Sequence, residues 1–409
     1  MPAPPFRGGI LRKYYIDNLR TLCILLLFPY HTCMIYNSFE SFYVHGPVVQ
    51  PLSDFVFFCS PWFMPLMFVL AGISARFALK KRTAREFIKE RFLRLFIPLV
   101  FGILLLVPAQ TYFAERFHNG YTGGYFEQYL LFFTKSTDLT GYKGGFTPAH
   151  LWFILYLFVI SLIALPVMLW YNNRRAAIIP AYVNAPPAAM GDYAASPRLL
   201  RHNKREKGIN ASRLTIPILL SLVVVPYVMS AILDLSGKSF GQSLALFMLG
   251  YLILSEDEVV GRLEKYRWPL TASGAVLLIL LYAVFRQGLW LEGFSPLALL
   301  FSLGRHLVMW VCILALLGLG RHCINGQSKF AAYFAKASFP LYLFHQTWVI
   351  AAGSVVLAVT DIVALEVPLI IAASFLLSML TYELTKRLAV TRFIFGIKYI
   401  TKAKEEVKA

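Results

Sequence analysis

Charge is scarce in this chain. Only 15% of its 409 residues are Asp, Glu, Lys or Arg and 58% are hydrophobic, whereas an ordinary soluble domain carries about a quarter charged residues. With the apolar residues gathered in long blocks, that scarcity excludes the soluble globular class. Acids are the rarer sign: 21 Asp and Glu face 39 Lys and Arg, a formal net charge of +18. The apolar blocks are rich in Leu, Ile and Phe and lack period-two alternation, which excludes a transmembrane β-barrel. Cysteine is rare too. Cys23, Cys33, Cys59, Cys312 and Cys323 form no C-x-x-C pair and no metal cluster, so they read as small apolar fillers, with a Cys33–Cys59 bridge geometrically open. The first apolar block has no A-x-A-like exit and is too long and too polar for a cleaved signal peptide. No internal repeat relates the two halves, which counts against the inverted-repeat transporters.

What is present is a series of apolar stretches near the ~20 residues a helix needs to cross a hydrocarbon core. Ten fit: 15–37, 54–79, 93–113, 150–171, 213–234, 239–255, 268–286, 297–320, 338–360 and 363–388. The expected fold class is all-α, a polytopic integral membrane protein with about ten transmembrane helices. The sixth stretch is short and the border between the last two is soft. Of the 39 basic residues, 32 fall on one side of this arrangement. Arg116, Lys135, Lys143, Lys238 and Arg286 fall on the other, and Arg20 and Arg305 lie within spans. Such a bias marks the rich side as cytoplasmic and puts both termini inside. It also assigns the positive charge to the bilayer rather than to nucleic acid. A single membrane domain is expected over 1–400. Within it, 172–212 reads as a basic flexible cytoplasmic linker against anionic lipid, and 401–409 reads as a charged cytoplasmic tail. The outer loop 114–149, with "YTGGYFEQY" and "GYKGGFTPAH", reads as an interfacial aromatic belt or as a face for stacking sugar rings.

The informative residues are the polar ones inside apolar runs. In "IDNLRTLCILLLFPYHTC", residues 16–33, Arg20 and His31 are eleven residues apart. Eleven helical steps return to nearly the same direction, ~16 Å along the axis, so both side chains leave one face. Arg20 is near the cytoplasmic boundary and His31 in the outer half, where Pro29 should loosen the helix and free a carbonyl. The plain alternatives are snorkelling for Arg20 and an interhelical hydrogen bond for His31. His150 opens the fourth span in "PAHLWFILYLF". Arg305 and His306 sit in the eighth, "FSLGRHLVMW", and His345 in the ninth, after Pro340. Arg305 cannot shed its charge, and with acids so few in the spans a water-filled cavity is expected around it. On the cytoplasmic side, "ALKKRTAREFIKERFLRLFIP" puts Arg91 and Arg94 one turn apart against an apolar run, with Lys81, Arg82 and Arg85 upstream. Positive-inside bias explains their number. Their position suits a pocket mouth and bidentate capture of phosphate. A phosphate-binding rim on one side and titratable histidines on the other fit an enzyme taking a phosphate-bearing donor inside and an acceptor outside. A secondary transporter or flippase of an anionic or sugar-linked substrate would use similar groups along a path, and that alternative stays open.

At these residues the sequence resembles the membrane acyltransferase-3 family, the O-acyltransferases of bacterial surface polysaccharides. The likeness runs in order through "YIDNLR" and its following histidine, "MPLMFVLAGISARFAL", "RFLRLFIP", "HLWFILYLF" and "SFPLYLFHQ", over nearly the whole chain. Within the family, "HLWF" is similar to the glucans biosynthesis protein C type. The resemblance implies transfer of an acyl group, acetyl or else succinyl, from cytoplasmic acyl-coenzyme A to a hydroxyl of an exported glycan, without a metal. The setting it implies is the bacterial cytoplasmic (inner) membrane. Carried over, His31 and Arg20 match the first-span pair and Arg91 and Arg94 the coenzyme motif, with Arg85 and Arg82 beside it. His150 and His345 match recurring motifs, so they, Trp152 and Tyr342 are expected to support the substrate. The expected catalytic set is His31, Arg20 and Arg305. His31 would be a general base or else a covalent acyl carrier, and Arg305 would steady an oxyanion or position the acceptor. Implied partners are the carbohydrate acceptor and the lipid bilayer, with a homo-oligomer or a glycan-export partner open. Some members append an extracytoplasmic hydrolase-like domain. Here transfer is expected to finish within the membrane domain or with a separate partner.

Overall fold

The computed structural model describes residues 13–176 and 211–397. Most of the 172–212 linker and all of the 401–409 tail therefore lie outside the described residues. Each of the ten apolar stretches is helical. The first is α1 (Tyr14–Met34), unbroken through Pro29. The second is α2 (Gln50–Cys59) with α3 (Phe63–Leu79), and the third is α4 (Ala84–Arg91), α5 (Ile97–Leu105) and α6 (Val107–Asn119). After α7 (Tyr125–Phe132) come α8 (Trp152–Ile163) and α9 (Leu165–Ala176), then α10 (Ile216–Ser221), α11 (Val224–Met229) and α12 (Phe240–Leu252). The chain ends in α13 (Asp257–Lys265), α14 (Arg267–Arg286), α15 (Pro296–Cys323), α16 (Lys329–Val356), α17 (Val363–Thr385) and α18 (Ala389–Ile394). Strand is confined, among the described residues, to a ribbon of Asp234–Leu235 with Lys238–Ser239.

Five of these segments are long and apolar enough to cross a membrane: Gln50–Leu79, Ala84–Asn119, α14, α15 and α17. A sixth forms where Ala149–Ile163 and Leu165–Arg174, bent by 47°, make one span, while Ile216–Met229 and α12 are shorter apolar helices. The chain is thus an all-α, multi-span membrane protein. α1 and α16 have the length, at 21 and 28 residues. They are less apolar because they carry Asp17, Arg20 and His31 in one case and Lys336, His345 and Gln346 in the other.

Local chemistry positions the polar residues. Thr83 and Glu86 close a capping box at the start of α4, with the Thr83 N–H donating to Glu86 Oε2 at 2.8 Å and the Glu86 N–H to Thr83 Oγ1 at 3.3 Å. Pro98 has no N–H to offer the Arg94 carbonyl. There the chain widens into a π-turn over Phe92–Phe96, in which the Ile97 N–H reaches Phe92 O. α3 and α12 meet backbone to backbone. A Cβ on Gly72 would lie 1.9 Å from the Phe247 carbonyl oxygen, and one on Gly250 2.3 Å from that of Val69, the small-residue packing that membrane helices favour. All five cysteines are free thiols, so the open Cys33–Cys59 bridge does not form.

Candidate active site

Two cavities of nearly equal size lie in the helix bundle. The basic cavity, of about 1060 Å³, is lined by Arg20, Arg82, Arg91, Arg94, Lys336, Lys386 and Arg392. The histidine cavity, of about 1030 Å³, is lined by His31, His150, His345, Trp152, Arg305 and His306. α1 serves both through one face. Asp17, Arg20 and Ile24 line the first and Leu27 and His31 the second, as an eleven-residue separation on a helix requires. α16 also reaches both cavities, with Lys336 and Ser338 at one end and His345 and Gln346 at the other. Among the described residues, Tyr342 alone lines both cavities. It is almost fully buried, and its hydroxyl donates to the backbone carbonyl of His150.

In the basic cavity most cations have anionic neighbours. Arg82 and Arg94 share Glu90 at 2.8 and 3.2 Å. Arg20 pairs with Asp17 at 3.1 Å and donates to Ser74 Oγ at 2.6 Å, and Lys386 pairs with Glu383. Arg91 differs: its guanidinium lies 4.5 Å from the Phe87 ring centre and its Nε is buried without a partner. Arg20 thus joins the arginines rather than His31. Arg85 stands apart from the expected donor set, exposed and outside the cavity lining.

The histidine cavity is built differently. The His31 and His345 ring centres are 5.1 Å apart and those of His150 and His345 5.2 Å. His150 has both nitrogens engaged: Nε2–H donates to the Leu343 carbonyl at 3.0 Å, and Nδ1 receives the Gln110 amide at 3.3 Å. Gln110 is held in turn by Thr347 at 2.8 Å and Gln346 at 3.1 Å. His345 donates from Nδ1 to the Tyr342 carbonyl at 2.8 Å, which leaves Nε2 with its lone pair, buried and unpartnered. His31 stacks on Phe42 at 5.7 Å, and its Nδ1 is likewise buried without a partner. Arg305 shares the cavity, as expected, and among the described residues no carboxylate is bonded to it. Its guanidinium sits 4.9 Å from the Trp290 ring centre and 5.7 Å from that of Phe301. Glu40, on the loop after α1, lines the same cavity. The protein around it lifts its carboxyl above the ordinary range, with Lys238 pulling it back down. Among the described residues no three metal-binding side chains converge as a metal site.

The profile of the acyltransferase-3 family, an acyltransferase domain, matches residues 13–383. The chain belongs to that family. It is therefore a membrane acyltransferase. It is also similar to the glucans biosynthesis protein C of Salmonella paratyphi B and of Salmonella dublin, each 23% identical over 409 residues that cover 97% of this chain and 96% of the relative. The protein of the same name from Salmonella schwarzengrund is 23% identical over 416 residues, with the same coverage. No solved structure matches. The two cavities divide the charged groups unevenly: seven Lys and Arg line the basic one, while Arg305 and Lys238 share the other with the histidines. Sequence reasoning missed Lys336, Lys386 and Arg392 on the far wall of the basic cavity, and Gln110 behind His150. Neither group left a clear signal: Lys336 is out of phase with Ser338, Tyr342, His345 and Gln346 on α16, and Lys386 and Arg392 lie at the end of α17 and on α18.

Proposed function

We propose that this acyltransferase moves an acetyl or succinyl group from acyl-coenzyme A, bound from the cytoplasm in the basic cavity, to a hydroxyl of an exported glycan in the histidine cavity. The observation that carries the reading is the pair of cavities that share one lining side chain, Tyr342, with most of the cations on one side and bare imidazole nitrogens on the other. α1, α16 and the shorter apolar helices complete ten spans in this reading, with both termini on the basic, cytoplasmic side of a bacterial inner membrane. The relatives' name, glucans biosynthesis protein C, supports a glucan-like acceptor.

In the mechanism, Arg91, Arg94 and Arg82 hold the coenzyme's phosphates, with Arg20 above them. The pantetheine arm passes Tyr342 and brings the thioester beside His31. His31 takes the proton of the acceptor hydroxyl as its oxygen attacks the thioester carbonyl. The tetrahedral intermediate collapses, the C–S bond breaks, and the leaving thiolate recovers the proton from His31. Arg305 and the rings of Trp290 and Trp152 position the sugar.

The test uses reconstituted liposomes given radiolabelled acetyl- and succinyl-coenzyme A, with glucose oligosaccharides as acceptor. Coenzyme release with label appearing on the oligosaccharide is the expected outcome, and the preferred donor names the acyl group. Label retained on the protein after denaturation would replace the general-base role of His31 by a covalent one. Neither binding nor turnover of either donor would overturn the reading.

A further inference from the structure

Among the described residues, two buried nitrogens on neighbouring rings have no partner: Nδ1 of His31 and Nε2 of His345. An orphaned buried polar atom costs stability and calls for an explanation. The nearby polar groups do not answer these two. Both nitrogens of His150 are engaged, and the Tyr342 hydroxyl is given to the His150 carbonyl. The Tyr30 hydroxyl is 3.0 Å from Ser60 Oγ. Glu40 and Lys238 line the same cavity and make no hydrogen bond to either ring. The tautomer of His345 is set from behind, because its Nδ1–H is held by the Tyr342 carbonyl at 2.8 Å. Its Nε2 is therefore an acceptor, next to a ring that has a proton to give.

We propose that His345 is a positioning residue that accepts the Nδ1–H of His31, leaving the second nitrogen of His31 bare toward the acceptor hydroxyl. The proposal rests on the acyl-transfer reading above. The chain runs from His31 Nδ1–H to His345 Nε2, then from His345 Nδ1–H to the Tyr342 carbonyl. At a ring separation of 5.1 Å the first bond is not made in this state, and it forms when His31 becomes charged, as catalytic hydrogen bonds tighten on forming the reactive complex. In the reaction the hydroxyl O–H breaks as N–H forms on His31, the C–O bond forms, the C–S bond breaks, and the thiolate takes that same proton. His345 loses and gains none. It fixes which nitrogen of His31 reacts and holds the imidazolium N–H meanwhile, a task that in other acyl-transfer sites falls to a carboxylate.

The experiment compares His345→Leu, which removes the acceptor, with His345→Gln, whose amide oxygen can still accept. Acetyl-coenzyme A is the donor and glucose oligosaccharides the acceptor. His345→Leu should lower kcat about 100-fold with KM for acetyl-coenzyme A unchanged within about twofold, a loss in the range of general-base catalysis. His345→Gln should recover to within about tenfold of wild type. Because His345 acts through His31, the His31→Ala/His345→Leu double variant should be no slower than His31→Ala. A His345→Leu kcat within about threefold of wild type would overturn the proposal, and so would loss of acetyl-coenzyme A binding in both variants. Histidine ¹⁵N spectra supply a readout independent of turnover. One fixed His31 tautomer in wild type that becomes mixed in His345→Leu supports the pairing; an unchanged tautomer overturns it. A wild type that releases no coenzyme sinks the acyl-transfer reading but leaves this spectral comparison standing.

Discussion

The basic and histidine cavities have nearly the same volume, about 1060 and 1030 Å³, yet they answer their polar groups in opposite ways. On the basic side Glu90, Asp17 and Glu383 neutralise the arginines and lysine they face. Such pairs keep cations in place until a phosphate competes for them. On the histidine side nitrogens are left bare among aromatic rings, and Arg305 rests on Trp290 instead of a carboxylate. Paired charges suit binding. Unpaired imidazoles suit proton transfer, since one ring nitrogen can accept a proton while the other donates one.

A crossed pair of variants tests that division most severely. His31→Ala should lower kcat by about 10³-fold while the donor Kd stays within about twofold, in the range of general-base loss. Arg91→Ala/Arg94→Ala should instead raise the Kd for acyl-coenzyme A by about 10–100-fold, the worth of one or two charge-assisted hydrogen bonds. Isothermal titration of the donor beside single-turnover rates separates the two. If His31→Ala weakens donor binding as much as the arginine variant does, the cavities do not divide the work.

The wall itself gives the next largest effect. Tyr342→Ala would join the cavities and let water from the basic side follow the pantetheine arm to the thioester. Coenzyme release without acceptor should then rise about tenfold over wild type, with free acid and thiol as products. Tyr342→Phe keeps the ring and loses only the hydrogen bond to the His150 carbonyl, so its hydrolysis should stay near wild type. Equal leak from both variants would mean that the ring is not the partition.

Much of this was legible in the residues, and the limits have physical causes. The ten helical stretches, the shared face of Arg20 and His31 and the open surroundings of Arg305 follow from hydrophobicity and helical periodicity, which are local. Arg85 lies outside the lining of the basic cavity, a placement that basic spacing could not reveal because it does not show where a capped helix begins. The Thr83–Glu86 box sets the start of α4 and turns Arg85 outward. The π-turn over Phe92–Phe96 was missed, although Pro98 is its cause. Arg20 was grouped with His31 because one face was taken for one site, whereas the two line different cavities that share only Tyr342 among the described residues. Gln110 left no signal at all. A lone glutamine in a span is read as interfacial until α16 is known to run beside it.

α3 serves both cavities, giving Met67, Ala71 and Ser74 to one and Met64 and Phe68 to the other, and Gly72 seats it on α12. Gly72→Val places a side chain where the Phe247 carbonyl already stands and forces α3 from α12. The cost is about 1–3 kcal/mol, typical of overpacking, read as a lower Tm in detergent. Donor affinity and kcat should fall together, by about tenfold each. A loss confined to one of them would show that the cavities move independently.

The smallest effect tests whether the histidine cavity can be perturbed alone. Asp138 holds the outer loop: its carboxylate accepts the N–H groups of Thr140 at 2.9 Å and Gly141 at 2.8 Å and the Thr140 hydroxyl at 2.5 Å, and Thr140 lines that cavity. Partial burial works to raise the Asp138 pKa, but these hydrogen bonds and Lys238 outweigh it and bring it below its ordinary 3.8. The carboxylate's contribution to loop stability is therefore fully present above pH 3.8 and is lost as the pH falls through the lower, folded value. Amide exchange at Thr140 and Gly141, corrected for intrinsic rates, should speed up over that acidic window in wild type. In Asp138→Asn, which keeps an acceptor oxygen but no charge, exchange should already be faster at neutral pH and show no further transition there. Near neutrality the variant should raise KM for the acceptor about twofold and leave the donor Kd unchanged. A change in donor affinity from so distant a loop would mean that the histidine cavity's outer wall is felt across Tyr342, and the separation between the two cavities would be weaker than their linings imply.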